Sequence, residues 1–415
     1  MDNANDRILK ETLDYILKTN SYYTHAVGVN NGNLNEFPLL TRAELQTNGK
    51  GIISDSYKSK ISELFTTSSS GSTGMPVVVY WDHAHYLISM RTLWKRRSKY
   101  YGITPLSKKL EFTLLTDIIK SSGLQYRIDR NNTVLSLKSS CLNSMSAIIE
   151  AWHLVETFEP EWIYVQPSVL KKILYVLEKK RLSIPSSIRY IECVGEMLFD
   201  DLREQTSNVF KHALIANMYG SEEMNGIAIE CPFHNMHVIS ENVYVECSAA
   251  GKCYDEGVGE IVITQLRNRV QPLVRYLQGD IVEMTSPVQC RCGYHDKIIK
   301  KIYGRVRESI LIEPDNLELN NFVLFDCIRL TNKKLNHSVL KYKFYYYKSQ
   351  NRLCGVTYVS NKTCWLEKEI KGCIKNYLYT KGYHFCAIEI VVKDTLPEDI
   401  ITHDCNKHMS FVIYD

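Results

Sequence analysis

The chain has 415 residues, 45% of them hydrophobic and 23% charged, with 50 basic against 46 acidic side chains for a net charge of +4. That length calls for two or three cores, the balanced charge gives no electrostatic case for a nucleic-acid partner, and no apolar run approaches the roughly 18 residues that cross a membrane. Thirteen cysteines, an odd number spread over the whole chain, are unlike a secreted disulfide framework and point to a reducing, cytoplasmic setting with a few thiols recruited by metal. The polar, acidic first six residues are unlike a secretory leader.

An amphipathic helix is predicted over residues 8–17, followed by a connection through residues 38–42. There Thr41 can cap a short helix with Glu44 in its first turn. Residues 66–76, Thr66-Thr67-Ser68-Ser69-Ser70-Gly71-Ser72-Thr73-Gly74-Met75-Pro76, read as a hydroxyl-rich loop ahead of an apolar strand over 77–80. Glycines let backbone N–H groups approach an anion and hydroxyls add donors, so the loop suits nucleotide phosphate oxygens. It lacks the lysine and following Ser/Thr of a Walker A loop, and a plain flexible linker has the same composition.

Residues 86–100 place Leu87, Met90, Leu93 and Trp94 at helical spacing, with Lys95, Arg96 and Arg97 near the end. A second helix is expected over 142–158, a strand over 162–165, and a helix opened by Pro167 and running to Leu177. Strands over 188–194 and 213–218 flank a polar helix near 199–210, an α/β alternation. From Gly257 the pattern turns strand-rich, including 260–264. Strands over 340–347, 353–358 and 387–392 with a helix over 366–378 form a separate α+β unit, its boundary near 305–314.

Further glycine motifs follow in order: Gly195-Glu196, Tyr219-Gly220-Ser221-Glu222-Glu223, Arg275-Tyr276-Leu277-Gln278-Gly279-Asp280, and Gly304-Arg305-Val306-Arg307-Glu308. The first two end predicted strands, where open α/β folds bind ligands. Any one alone is a common turn. Cys231 with His234 or His237, and Cys290 with Cys292 ahead of Gly293, supply thiolates and imidazoles able to close a tetrahedral zinc site.

In this order the motifs resemble the adenylate-forming acyl-CoA synthetase superfamily, in the branch of phenylacetate-CoA ligase and the capsule-type, CapK-like ligases. Ser70 to Pro76 resembles the family's phosphate loop, and Tyr219 to Glu223 its Y-G-x-T-E motif, with Glu222 in place of threonine. Gly259-Glu260 to Thr264, Pro272 to Asp280, and Gly304-Arg305 to Glu308 resemble three more of its motifs. The likeness implies an α/β fold. A large multi-layer N-terminal α/β domain with a strand-rich subdomain would span 1–306 (the zinc region within 231–292), and a small mobile α+β domain 307–415.

It also implies ATP-dependent activation of a carboxylic acid to an acyl-AMP, then transfer to an acceptor. Thr67, Ser70, Gly71, Ser72, Thr73 and Gly74 would hold the β- and γ-phosphates, with Thr73 assisting catalysis. Glu223 would bind Mg²⁺, Tyr219 with Gly220 would stack on adenine, and Gly195-Glu196 would lie near the base. Asp280 would take the ribose hydroxyls and Arg305 the ribose or phosphate. Lys407, after Asn406 where the family has glycine, is the expected catalytic lysine, with Lys393 its competitor. For zinc the better match is Cys231, His237, Cys290 and Cys292, with His234 as substitute for His237, and the ion would be structural.

The acid pocket is expected from residues 162–166, Cys193-Val194, Asn217 and Met218, whose apolar and aromatic character favours an aryl or other apolar acid. A thiol acceptor, coenzyme A or a carrier-protein pantetheine, is preferred to an amine, and Lys95, Arg96 and Arg97 are candidates for the phosphates of coenzyme A. Oligomeric state is left open, a homodimer included.

Overall fold

The computed structural model describes residues 4–28, 32–69, 76–113, 119–121, 124–129, 131–249, 251–306, 309–314, 316–335, 339–359, 362–394 and 411–415. Ser70, Gly71, Ser72, Thr73, Gly74, Glu308 and Lys407 lie outside the described residues.

A 14-stranded sheet organises the larger part of the chain. Lys109–Thr113, Val134–Lys138, Trp162–Val165, Tyr190–Val194 and Leu214–Ser221 run parallel in the spatial order 134–138, 109–113, 162–165, 190–194, 214–221. Tyr190–Val194 is buried at every position, as a strand covered on both faces must be. Helices supply the covers. Met145–Phe158 and Pro167–Lys180 pack Trp152, Val155, Leu170 and Leu174 into one core, and His83–Tyr101 packs Leu93 and Tyr100 into another. Pro167 stands first in its helix, as its missing N–H favours.

At Leu214–Ser221 the sheet changes character. This strand is parallel to Tyr190–Val194 on one side and antiparallel to Asn225–Glu230 on the other. Beyond it every pairing is antiparallel, through Met236–Val238, His295–Arg305, Tyr276–Gln289, Gly257–Gln265, Val243–Ala249 and Lys252–Tyr254. The first helices, Ala4–Thr19 and Ser21–Val27, pack Leu13, Ile16, Tyr23 and Val27 into the core of this half.

The smaller unit is a four-stranded sheet ordered Ala387–Asp394, Arg352–Val359, Val339–Tyr347, Phe411–Tyr414. Helices Asn321–Lys334 and Cys364–Thr380 fill its core with Leu324, Cys327, Ile370 and Ile374. The expected α/β fold with a strand-rich region and a smaller α+β unit is observed. No helix among the described residues is long and apolar enough to cross a membrane.

Some elements escaped the sequence pattern. Residues 66–68, read as loop, belong to the strand Phe65–Ser68, which pairs antiparallel with Val78–Trp81. Lys109–Thr113 was not anticipated because Lys109 and Glu111 break its apolar run. They lie on one face and pair at 2.6 Å, while Leu110 and Phe112 enter the core. Arg96 and Arg97 are not surface cations at a helix end. Arg97 forks onto the fully buried Glu192 at 2.8 and 2.5 Å, and Arg96 joins Asp296 and Glu241 at 2.6 Å each. Neither guanidinium is therefore available to coenzyme A phosphates.

Glu192→Ala would leave Arg97 buried without its counter-charge, at a cost of about 3–5 kcal/mol. We expect a clearly lowered thermal unfolding midpoint. An unchanged midpoint would show that the pair contributes nothing to folding.

Candidate functional site

The strand Leu214–Ser221 ends in Tyr219-Gly220-Ser221 and turns back into Asn225–Glu230. Gly220 permits that return, because a Cβ there would lie 2.5 Å from the Asn225 carbonyl oxygen. In the turn, Glu222 is exposed and Glu223 is buried, 3% exposed. Gln265 donates its amide to the Glu223 carbonyl oxygen, and Thr67 Oγ1 donates to the Glu222 carbonyl oxygen at 2.7 Å. The turn is thus held from both the antiparallel half and the first hairpin.

Arg42 faces the Glu223 carboxylate, with Nη1 3.2 Å from Oε1. Its Nη2 donates to Ser69 Oγ at 2.9 Å. That hydroxyl accepts from the Val77 N–H at 3.0 Å, and the Ser69 N–H donates to the Val77 carbonyl at 3.0 Å. Ser69 and Val77 therefore close the base of the hydroxyl-glycine segment.

Tyr219, Asp280 and Arg305 converge from three strands. Tyr219 Oη donates to Asp280 Oδ2 at 2.6 Å, and Arg305 Nε meets Asp280 Oδ1 at 2.8 Å. Arg305 sits directly opposite Asp280 in the antiparallel register and also donates to the Gln278 carbonyl at 3.2 Å. Burial and the Asp280 carboxylate push the Tyr219 phenol well above its ordinary value, so it stays protonated and donates. Burial likewise raises the Tyr276 phenol, which feels Glu223, Arg42 and Arg305 together.

Gly195 follows Tyr190–Val194 at φ +73°, a left-handed turn natural to glycine. Glu196 is turned to the helix Pro167–Lys180, where its carboxylate accepts from the Ser168 N–H and hydroxyl at 2.8 Å each. Of the expected acid-pocket residues, Trp162, Val165, Cys193, Val194 and Met218 lie in the core, whereas Tyr164, Gln166 and Asn217 are partly exposed.

A second cluster gathers Cys231, His237, Cys290 and Cys292, with all ligand atoms within 4.8 Å of one another. Cys231 and Cys290 sulfurs are 3.9 Å apart, and Cys292 Sγ is 3.3 Å from His237 Nε2. Ligands about 2.1–2.3 Å from a tetrahedral ion stand about 3.4–3.8 Å apart, so the spacing fits zinc. Burial holds the His237 imidazole below its ordinary range, leaving it neutral with a lone pair to offer. Among the described residues its Nδ1 has no hydrogen-bond partner, and it faces Asp296 at 3.9 Å, on the side where metal-bound histidines are commonly oriented by carboxylates.

Burial pushes the Cys231 thiol up to about 12. At Cys290 burial is outweighed by donors from the Cys292 backbone, Asn235 and the neighbouring thiols, which lower it. His234 lies apart from the cluster, exposed and 3.2 Å from Glu230.

Arg42 is the site residue that the motifs missed. It is 181 residues from Glu223, and nothing in its neighbours distinguishes it from any first-turn arginine. Gln265 was missed for the same reason, since a lone glutamine ending an apolar strand has no periodic signal.

The sequence model of the AMP-binding enzyme family matches residues 62–259. Protein CapK of Staphylococcus aureus is 22% identical over 307 residues, 71% of this chain and 66% of the relative. Phenylacetate-coenzyme A ligase of Thermus thermophilus is 27% identical over 172 residues, 40% of this chain and 38% of the relative. The chain thus matches less than two thirds of either relative's length. Among solved structures, 2-hydroxyisobutyryl-CoA ligase, in its postadenylation state with 2-HIB-AMP, superposes with a TM-score of 0.75 at 14% identity, covering 100% of this chain and 89% of that one.

Proposed function

We propose that this chain is an adenylate-forming ligase that activates a carboxylic acid with ATP and passes the acyl group to a thiol, a reading supported by the fold it shares with 2-hydroxyisobutyryl-CoA ligase and by the match of residues 62–259 to the AMP-binding enzyme family. The observation that carries the reading is the meeting of Tyr219, Asp280, Arg305, Arg42 and Glu223 where the parallel strands end, beside the base of a hydroxyl-glycine segment. In the first step a carboxylate oxygen attacks the α-phosphorus of ATP. The bond from that phosphorus to the bridging oxygen breaks, and pyrophosphate leaves an acyl-AMP. In the second, a thiol attacks the acyl carbon, AMP departs with the anhydride oxygen, and the thiol proton passes to solvent.

Asp280 has lone pairs to share with ribose hydroxyls beyond its bonds to Tyr219 and Arg305. Tyr219 presents its ring beside that position, and Gly195, where a Cβ would meet nothing within 4 Å, leaves open space at the end of its strand. Glu196 acts through Ser168, fixing the helix that borders the acid pocket. Thr67 holds the Glu222–Glu223 turn. Glu223, a buried carboxylate, is the donor type that suits Mg²⁺. The ion, when bound, would offset negative charge on the departing pyrophosphate.

The chain fits the phenylacetate-CoA ligase and CapK-like branch, and the partly exposed Tyr164, packed against the core that holds Trp162 and Met218, favours an aryl or apolar acid. Coenzyme A or carrier pantetheine is the favoured acceptor, and residues from 307 onward form the small mobile domain. Every described cysteine is a free thiol, consistent with a cytoplasmic setting.

Acid-dependent exchange of labelled pyrophosphate into ATP, across a panel of aryl and aliphatic acids, tests this reading. We expect exchange with at least one apolar acid, reduced about a hundredfold or more in Glu223→Gln and Asp280→Asn. ATP binding without exchange for any acid would refute the ligase assignment. Repeating the productive reaction with coenzyme A, a carrier protein and amines identifies the acceptor.

Cys231, His237, Cys290 and Cys292 would hold a structural Zn²⁺. With four protein ligands there is no open position for chemistry, and the ion would pin the turn after Asn225–Glu230 to the segment after Tyr276–Gln289. We expect about one zinc per purified chain and a lowered melting temperature after chelation. Cys292→Ser should lose metal in proportion. Zinc-free protein with an unchanged melting temperature would rule the site out.

A further inference from the structure

The adenylation reading leaves Arg42 without a role, yet its placement is closely determined. Leu40 is inserted beside the strand Tyr276–Gln289, donating to the Arg275 carbonyl at 3.0 Å and accepting from the Leu277 N–H at 2.9 Å. Thr41 accepts from the Glu44 N–H, setting the start of the helix Arg42–Asn48. The Arg42 backbone is thereby tied to the strand that carries Asp280, and its guanidinium reaches Glu223 and Ser69.

Exposure is unequal across the ion pair. The Glu223 side chain is 4% exposed and that of Arg42 is 32%. About a third of the Arg42 side chain thus stays open to solvent while its carboxylate partner is enclosed. Among the described residues, Arg42 makes the ion pair to Glu223, and the motif that carries Glu223 adds the exposed carboxylate of Glu222 beside it. A triphosphate arriving there meets two consecutive acidic residues, with Arg42 a cation fixed against one of them. A guanidinium has five donors in a planar fork, matched to phosphate oxygens as well as to a carboxylate.

We infer that Arg42 is a polyphosphate-binding residue that also positions Glu223: the open part of its guanidinium takes a β- or γ-phosphate oxygen of a nucleoside triphosphate, while the same group holds the carboxylate and Ser69 in register. This rests on the adenylation reading and deepens it, since AMP lacks the phosphates that Arg42 would contact. Arg42 therefore discriminates triphosphate from monophosphate, favouring ATP entry and tightening pyrophosphate in the reverse reaction.

The test is equilibrium binding of ATP and of AMP to the full chain with Mg²⁺, for wild type, Arg42→Gln and Arg42→Lys. Arg42→Gln should weaken ATP by about tenfold or more while AMP stays within about twofold, a loss of one charge-assisted contact. Arg42→Lys should recover part of the ATP affinity, because it restores the charge without the fork. In pyrophosphate exchange, Arg42→Gln should raise the KM for pyrophosphate with the acid KM unchanged. Equal weakening of ATP and AMP, or no change in either, would overturn the Arg42 assignment alone, provided that wild type binds AMP. Wild-type protein that binds neither nucleotide would overturn the adenylation reading and this inference together.

Discussion

One strand, Leu214–Ser221, is the constraint on which the site depends. It takes parallel hydrogen bonds from Tyr190–Val194 and antiparallel ones from Asn225–Glu230, so two kinds of sheet meet along it. The parallel half brings strand carboxyl ends, where α/β folds leave room for ligands. The antiparallel half brings Asp280 and Arg305 in register across one strand pair. Tyr219 lies at the junction and joins the two halves through Asp280. A side chain at position 220 would drive the return strand away and separate Glu223 from Asp280.

Buried ion pairs tie the same region to the cysteine cluster. Arg97 is enclosed by Trp94, Trp162 and Tyr164 while it holds Glu192, so the aromatic wall beneath the proposed acid pocket is built around a neutralised pair. One residue earlier, Arg96 holds Asp296, which faces His237. The two arginines of one helix thus hold carboxylates on two different strands of the large sheet, Glu192 in the parallel half and Asp296 in the antiparallel half. Such pairs add little net stability, but removal of one partner is costly. They specify where the helix His83–Tyr101 must sit.

Much of this was legible in the sequence because the motifs are local. Tyr219-Gly220, Gly279-Asp280 and Gly304-Arg305 each set a glycine directly beside a side chain of the proposed site, and their order is specific where each alone is not. The four metal-type ligands were legible for similar reasons, through Cys-x-Cys-Gly and the paired Cys and His. What the pattern could not show was which distant residues complete each site. Arg42 reaches Glu223 only because Leu40 docks on Tyr276, a contact between segments 236 positions apart in the numbering of Leu40 and Tyr276. Charge misled the reading twice: Arg96 and Arg97 looked like candidates for the phosphates of coenzyme A and are buried, and Lys109 and Glu111 disguised a core strand. Hydroxyls misled it once, since Thr66 to Ser68 pair as strand.

The central claim is that the acid attacks the α-phosphorus of ATP at this junction. Isotope transfer from a productive acid tests it most directly. With both carboxylate oxygens replaced by ¹⁸O, the account predicts that the AMP released after acyl transfer carries one ¹⁸O atom and that pyrophosphate carries none. Label in orthophosphate with formation of ADP would place the attack on the γ-phosphorus and contradict it, as would AMP that carries no label.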